Sequence, residues 1–260
     1  TWNLIKDILM IKVLIEKGLT EKANKFICRA KKNAYFYQEF NLLLNIIEID
    51  ESLCFNRCFV INYTRLSELQ KERQEINEII DNINVLLKIK AEVQQYQFEE
   101  NYYTSKLENF IKKYEHNPLI PENEIKSIKA HLIWLYINYV ICFIINDYKN
   151  GYIYIRKQYE IYHSRPELFS KDEYFQLMNN YLFFCCLNKN EEDFNKILNE
   201  LIETRNISKE EDFFIKKIKF FRTLEMFHQI EKYKEAEKLA FESEEFLEII
   251  NPLVETHLNR

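Results

Sequence analysis

The chain has 260 residues and a net charge of -5, and 47% of its residues are hydrophobic and 30% charged. This composition can bury a core and excludes a disordered chain. Glycine occurs twice and proline four times, which argues against a sheet-rich fold, because sheets need both residues at their turns. Two isolated glycines also exclude the glycine-rich loops that bind phosphates, and the balanced charge gives no global attraction to nucleic acid or membrane.

Apolar residues recur every three or four positions along most of the chain, a spacing that predicts an all-α fold. The first stripe contains Leu4, Ile8, Ile11 and Ile15, and Gly18 stands where a left-handed C-cap would end the helix. Further helices are predicted at about residues 20–34, 37–57, 122–146, 149–163, 171–188, 191–205, 208–229 and 232–250.

Residues 64–115 form a long, charge-rich helical stretch. We expect a helix break in it near residues 81–84, because Asp81, Asn82 and Asn84 cluster there. Helices much longer than about 25 residues are also uncommon in globular repeats.

Two of the four prolines lie within residues 116–121 and predict the main boundary of the chain. We expect N-terminal helical repeats over 1–115, a short linker over 116–121 and C-terminal helical repeats over 122–260. Helix starts in the C-terminal part carry capping residues, namely Ser170 with Glu173, Ser208 with Glu211, and Asn190.

Three predicted hairpin turns share a polar pair, an aromatic residue, and a small or aliphatic residue three and seven positions later. The aromatic residues are Tyr148, Phe194 and Tyr233, which are 46 and 39 residues apart, within the range of helical solenoid units. Short turns favour antiparallel neighbours. We therefore expect an α-solenoid, a right-handed stack of antiparallel helix hairpins.

Three tracts carry a resemblance to a known superfamily: KGLTEKANKFICRAKKNA, NDYKNGYIYIRKQYEIYHSRP and EKYKEAEKLAFESEEFLE. They look like the second halves of degenerate repeats, and the chain resembles the tetratricopeptide-repeat-like superfamily. Its layout is similar to uncharacterised helical-repeat proteins of the Bacteroidetes. The resemblance implies a bacterial helical-repeat protein, and in that group further helices would precede Thr1.

Neither the cysteines nor the histidines have the spacing of a metal or redox site. Cys142, Cys185 and Cys186 lie in apolar runs and are interpreted as buried free thiols, while His131 and His228 are interpreted as core histidines. Because no nucleophile motif is present either, we expect no enzyme, cofactor or metal site. The most apolar run, 132–145, is shorter than the ~20 residues of a membrane span, and we expect a core helix and a cytoplasmic protein.

Two groups of side chains are candidate binding residues. One is a basic row along one face of the second predicted helix, where phosphate contact is the alternative to a solvated face: Lys22, Lys25, Arg29 and Lys32. The other is a burst of tyrosines, for which core packing and partner contact both stay open: Tyr152, Tyr154, Tyr159 and Tyr162.

The expected function is a non-catalytic scaffold that binds a peptide or a partner helix in the concave groove of the solenoid. The alternatives are a ligand-responsive regulator and a structural homo-oligomer. We expect a protein or peptide partner rather than a nucleic acid or a membrane.

Overall fold

The computed structural model describes residues 2–55, 62–98, 112, 121–205 and 207–242. Within these ranges the regular structure is α-helical, apart from two short 3-10 helices at Glu122–Glu124 and Pro166–Leu168, and contains no strand. The all-α prediction is therefore confirmed. The helices are α1 (Trp2–Glu16), α2 (Thr20–Phe36), α3 (Phe40–Leu53), α4 (Tyr63–Phe98), α5 (Ile128–Ile144), α6 (Tyr148–Ser164), α7 (Lys171–Leu187), α8 (Glu191–Ile202), α9 (Lys209–Gln229) and α10 (Tyr233–Glu242).

Helix α4 runs unbroken for 36 residues, so the predicted break near residues 81–84 is wrong. Ile83 and Leu86 stay on the buried stripe through this region. The Asn82 carboxamide oxygen accepts a hydrogen bond from the backbone N–H of Lys126 at 3.2 Å and therefore does not compete with the α4 backbone. Apart from residue 112, the predicted helix beyond residue 98 lies outside the described residues.

Predicted helix starts agree well with the structure in the C-terminal part. Ser170 with Glu173 and Ser208 with Glu211 form complete capping boxes, and the Asn190 side chain accepts a hydrogen bond from the backbone N–H of Asp193. The capping predictions are therefore confirmed. Among the described residues, no helix has both the length and the apolar character needed to span a membrane.

Five turns in the described residues join consecutive helices through the same geometry. In each turn one residue adopts a positive φ between 52° and 74°, and the next helix begins two residues later. The N–H of that residue bonds back three residues, and the following N–H bonds back five, which is the Schellman motif. The residues with positive φ are Gly18, Gln38, Asn146, Lys189 and Glu231.

These turns correct the register of one predicted repeat. The turn before α8 is centred on Lys189, so Phe194 lies five residues after the left-handed residue. Gly151 and Ala236 lie five residues after the left-handed residues of the turns before α6 and α10. Tyr148 and Tyr233 lie only two residues after those same left-handed residues. Phe194 is a core residue of α8 and does not correspond to those two tyrosines.

The described helices fall into two compact units, Thr1–Val140 with Arg165–Leu168, and Ile141–Ser164 with Phe169–Arg260. The division falls within α5. Residues 116–120 of the predicted linker lie outside the described ranges, so the linker stays a prediction.

In the first unit, α1 packs on α2, α2 on α3, and α3 on α4. A buried carboxylate connects three of these helices: Asp50 of α3 pairs with Arg65 of α4, and with Lys31 of α2 at 3.2 Å. Because a buried charge is stable only when it is paired, this network fixes α3 between α2 and α4.

In the second unit, α7 packs against α6, α8 and α9. Nine side chains of α7 are buried, and they are distributed over most sides of the helix. It approaches α6 tightly at Gly151, where an added Cβ would clash with the Phe184 ring and lie 3.2 Å from the Cβ of Cys142. Gly151 therefore sets the distance between α6 and α7.

Gly151→Ala tests this close approach. Alanine is favoured over glycine in a helix by about 1 kcal/mol, but overpacking against Phe184 costs about 1–3 kcal/mol, so we expect a net loss of stability in urea unfolding. The loss should shrink when the same change is made in a Phe184→Leu background. A Gly151→Ala protein that is more stable than the native chain would contradict this account.

Candidate docking surface

The four predicted tyrosines lie on α6, and the structure gives them different environments. Tyr159 is 7% exposed, and its ring contacts the ring of Tyr181 on α7 with a centroid distance of 5.1 Å. Tyr162 is half-buried and stacks on Tyr174 of α7 at 4.8 Å. Tyr152 and Tyr154 are also half-buried.

Two of these tyrosines connect α6 to α8 through carboxylates. The Tyr152 hydroxyl donates to Asp193, and the Tyr159 hydroxyl donates to Glu200 at 2.5 Å. Each tyrosine lies 41 residues before the acid that it bonds. Tyr159 follows Tyr152 by seven residues on α6, and Glu200 follows Asp193 by seven residues on α8. Burial and the Asp193 carboxylate raise the pKa of Tyr152 to about 12, so this phenol stays neutral at physiological pH.

The tyrosine row is therefore part of the packing between consecutive hairpins. Tyr159 is a core residue, because its ring is covered by α7 and its hydroxyl is bonded to α8. A partner cannot reach Tyr159 without separating these helices, so this residue does not belong to a contact surface. Tyr152 is held by the same kind of contact, which leaves little of its hydroxyl for a partner.

The basic row lies on the face of α2 that is opposite its buried alanines and Ile27, and all four of its residues are exposed. Arg29 pairs with Asp7 of α1, and its guanidinium lies over the ring of Phe26 at 4.4 Å. Lys22, Lys25 and Lys32 project into solvent. The row is thus a positively charged surface that is joined to α1 through Arg29.

The largest cluster of exposed apolar side chains on one described helix lies on α1, directly before this basic row. Trp2, Leu9, Met10 and Val13 are 66%, 58%, 46% and 42% exposed. At 100° per residue, Trp2, Leu9 and Val13 form a line on the side of the helix opposite the buried Leu4, Ile8 and Ile11. We call Trp2, Leu9, Met10 and Val13 the α1 outer face.

Two residues of the α1 outer face, Met10 and Val13, correspond to buried residues of the second unit. Met10 and Val13 lie eight and five residues before the left-handed residue Gly18, just as Tyr181 and Phe184 lie eight and five residues before Lys189. Tyr181 and Phe184 are buried against α6, the helix that precedes α7. The equivalent positions of α1 remain open to solvent.

The sequence pattern did not predict this surface. The stripe of Leu4, Ile8, Ile11 and Ile15 predicts one buried face of the helix, and the other apolar residues had no assigned role. A signal was present, because a helix that is apolar on two opposite sides is typical of a helix covered on both sides. Which of the two sides stays open depends on tertiary packing.

The cysteines and histidines of the described ranges lie in different environments. Burial raises the pKa of the Cys142 and Cys186 thiols to about 12 and that of Cys185 still further, so these free thiols stay protonated near neutral pH. No group of three His, Cys, Asp or Glu side chains within the described ranges could hold a metal ion. His131 is half-buried beside Glu122, whereas His228 is exposed, so its core assignment is wrong.

Comparison with known proteins yields no relative: no family model matches the chain, and no curated protein or solved structure matches it significantly. The candidate surface therefore stands on its geometry alone.

Tyr159→Phe tests the assignment of the tyrosine row to packing. Removing a hydroxyl that donates to a half-buried carboxylate should lower the free energy of unfolding by about 1.5 kcal/mol, as measured by urea denaturation. The matched control is Tyr233→Phe, an exposed tyrosine of α10, for which a change within about 0.5 kcal/mol is expected. Equal stability of the two variants would contradict the packing role.

Proposed function

We propose that this chain is a non-catalytic protein-interaction module, which binds a partner protein on the α1 outer face. The observation that carries the proposal is the exposure of Trp2, Leu9, Met10 and Val13 on one helix. Contiguous exposed apolar surface is typical of an interaction site, since leaving it in water is unfavourable. The module we infer is cytoplasmic.

The module we infer has the tetratricopeptide-repeat-like plan, in which antiparallel hairpins stack into a right-handed solenoid. Support comes from the three left-handed residues Asn146, Lys189 and Glu231, which are 43 and 42 residues apart. Contacts at a similar offset link equivalent helices of successive hairpins, such as Lys171 with Glu211 at 3.3 Å and Lys232 with Glu191 at 2.9 Å.

The proposed contact surface lies on α1, whereas the sequence predicted a contact in the concave groove of the solenoid. The rings of Tyr152 and Tyr162 contact α7, and the hydroxyls of Tyr152 and Tyr159 are bonded to α8. The α1 outer face, by contrast, has four large apolar side chains open to solvent. The basic row of α2 contacts α1 through the pair of Arg29 with Asp7.

Site-specific crosslinking tests the proposed function. A benzophenone amino acid at Leu9 should give, after irradiation of the source cells, covalent adducts with another protein that mass spectrometry identifies. The matched control is the same label at Val85 of α4, which is exposed to a similar degree but lies outside the α1 outer face. The same adduct pattern at both positions, or no adduct at Leu9, would refute the proposal.

A further inference from the structure

We propose that the turn between α2 and α3 is a clasp, which holds two later parts of the first unit, the start of α5 and residues 165–168. Its two contacts span 91 and 129 residues of the sequence. The clasp does not involve the α1 outer face and is therefore independent of the proposed function. All residues of this turn clasp lie in the first unit, and they are Phe36, Gln38, Lys129 and Arg165.

Gln38 differs from the other left-handed residues in the environment of its side chain. It is 9% exposed, whereas the residues with positive φ at the other four turns are all exposed. A non-glycine residue at a φ of 52° is strained, and glycine would remove this strain. A buried side chain at such a position points to a role for the side chain itself.

The Gln38 side chain caps the start of α5. Its Oε1 accepts a hydrogen bond at 2.7 Å from the backbone N–H of Lys129, the second residue of α5, which has no acceptor within its own helix. Ser127 serves the next two N–H groups, because its hydroxyl accepts from Ala130 and its carbonyl from His131. Helix α5 thus takes one of its N-terminal acceptors from a residue 91 positions earlier.

The carbonyl side of the same turn binds Arg165. The Schellman bonds of the turn end on the carbonyls of Ala34 and Tyr35. The next carbonyl, that of Phe36, accepts a hydrogen bond at 2.5 Å from the Arg165 guanidinium, which also lies 5.1 Å from the centre of the Phe36 ring. Glu167 pairs with the same guanidinium. Because a cation is favourable at the C-terminus of a helix, Arg165 caps α2.

The two contacts act on one short piece of backbone. Phe36 and Gln38 are two residues apart, so a change in the conformation of the turn moves the carbonyl that binds Arg165 together with the carboxamide that binds Lys129. Residues 165–168 belong to the first unit, and Arg165 joins them to α2. We therefore expect the two contacts to stabilise each other.

Glycine substitutions separate the backbone strain from the role of the side chain. Lys189→Gly and Glu231→Gly, at exposed left-handed residues, should raise the equilibrium constant for folding by about five-fold each, because they relieve strain. Gln38→Gly should lower this constant, because it also removes a buried side chain and its hydrogen bond. Urea unfolding of the full 260-residue chain measures all three variants.

Hydrogen exchange shows whether the effect arises at α5. The backbone N–H of Lys129 should be protected in the native chain and should exchange at least about ten-fold faster in Gln38→Gly. Lys189→Gly should leave this rate unchanged. If Gln38→Gly does not fold, Gln38→Asn supplies the same measurement, because asparagine tolerates the left-handed backbone but is one methylene shorter.

A double-mutant cycle tests whether the contacts form one clasp. Gln38→Gly and Arg165→Ala together should cost less stability than the sum of the separate losses, because both release the same turn. The matched control is Arg156→Ala on α6, an exposed arginine that pairs with Glu160, whose effect should add to that of Gln38→Gly.

Three results would overturn the clasp. A gain in stability for Gln38→Gly like that of Lys189→Gly would show that the buried side chain has no role. An unchanged exchange rate at Lys129 would show that Gln38 does not cap α5. Additive losses for Gln38→Gly and Arg165→Ala would reduce the clasp to two independent contacts.

Discussion

The described hairpins depend on one backbone conformation, a single left-handed residue after the first helix. Its Schellman hydrogen bonds satisfy the last carbonyls of that helix and turn the chain so that the next helix begins two residues later. Glycine fills this position once, at Gly18, while Gln38, Asn146, Lys189 and Glu231 fill it elsewhere at a cost of about 1 kcal/mol each. The burial of two helices against each other outweighs that cost, which is why a chain with two glycines can fold into many hairpins.

Between hairpins, contact is fixed by a few specific residues within a broadly apolar surface. Gly151 allows α6 and α7 to approach closely, and the Tyr152 and Tyr159 hydroxyls then reach the carboxylates of α8. In the first unit Asp50 has a comparable role, with cations from α2 and α4. Apolar burial supplies most of the favourable free energy, while these polar pairs select one register, because a shifted helix would leave a buried charge or hydroxyl without a partner.

Sequence patterns predicted the local structure well and the tertiary structure less well. Helix starts at Ser170 and Ser208 followed from cap spacing, since the capping box is a contact within four residues. The break near residues 81–84 was wrong, because Asn82 bonds to Lys126, a residue 44 positions away that local propensity does not include. The tyrosines of α6 show the same limit: their spacing left core and surface open, and only the position of α7 and α8 decides that Tyr159 is buried.

The α1 outer face consists of apolar side chains like those of the core, but they are exposed to solvent in the described part of the chain. Covering a large apolar side chain fully is worth about 1.5–3 kcal/mol, so four partly exposed ones could contribute several kcal/mol when a helix covers them. Association itself costs an estimated 4–15 kcal/mol in lost translational and rotational freedom, so apolar contact alone would bind weakly.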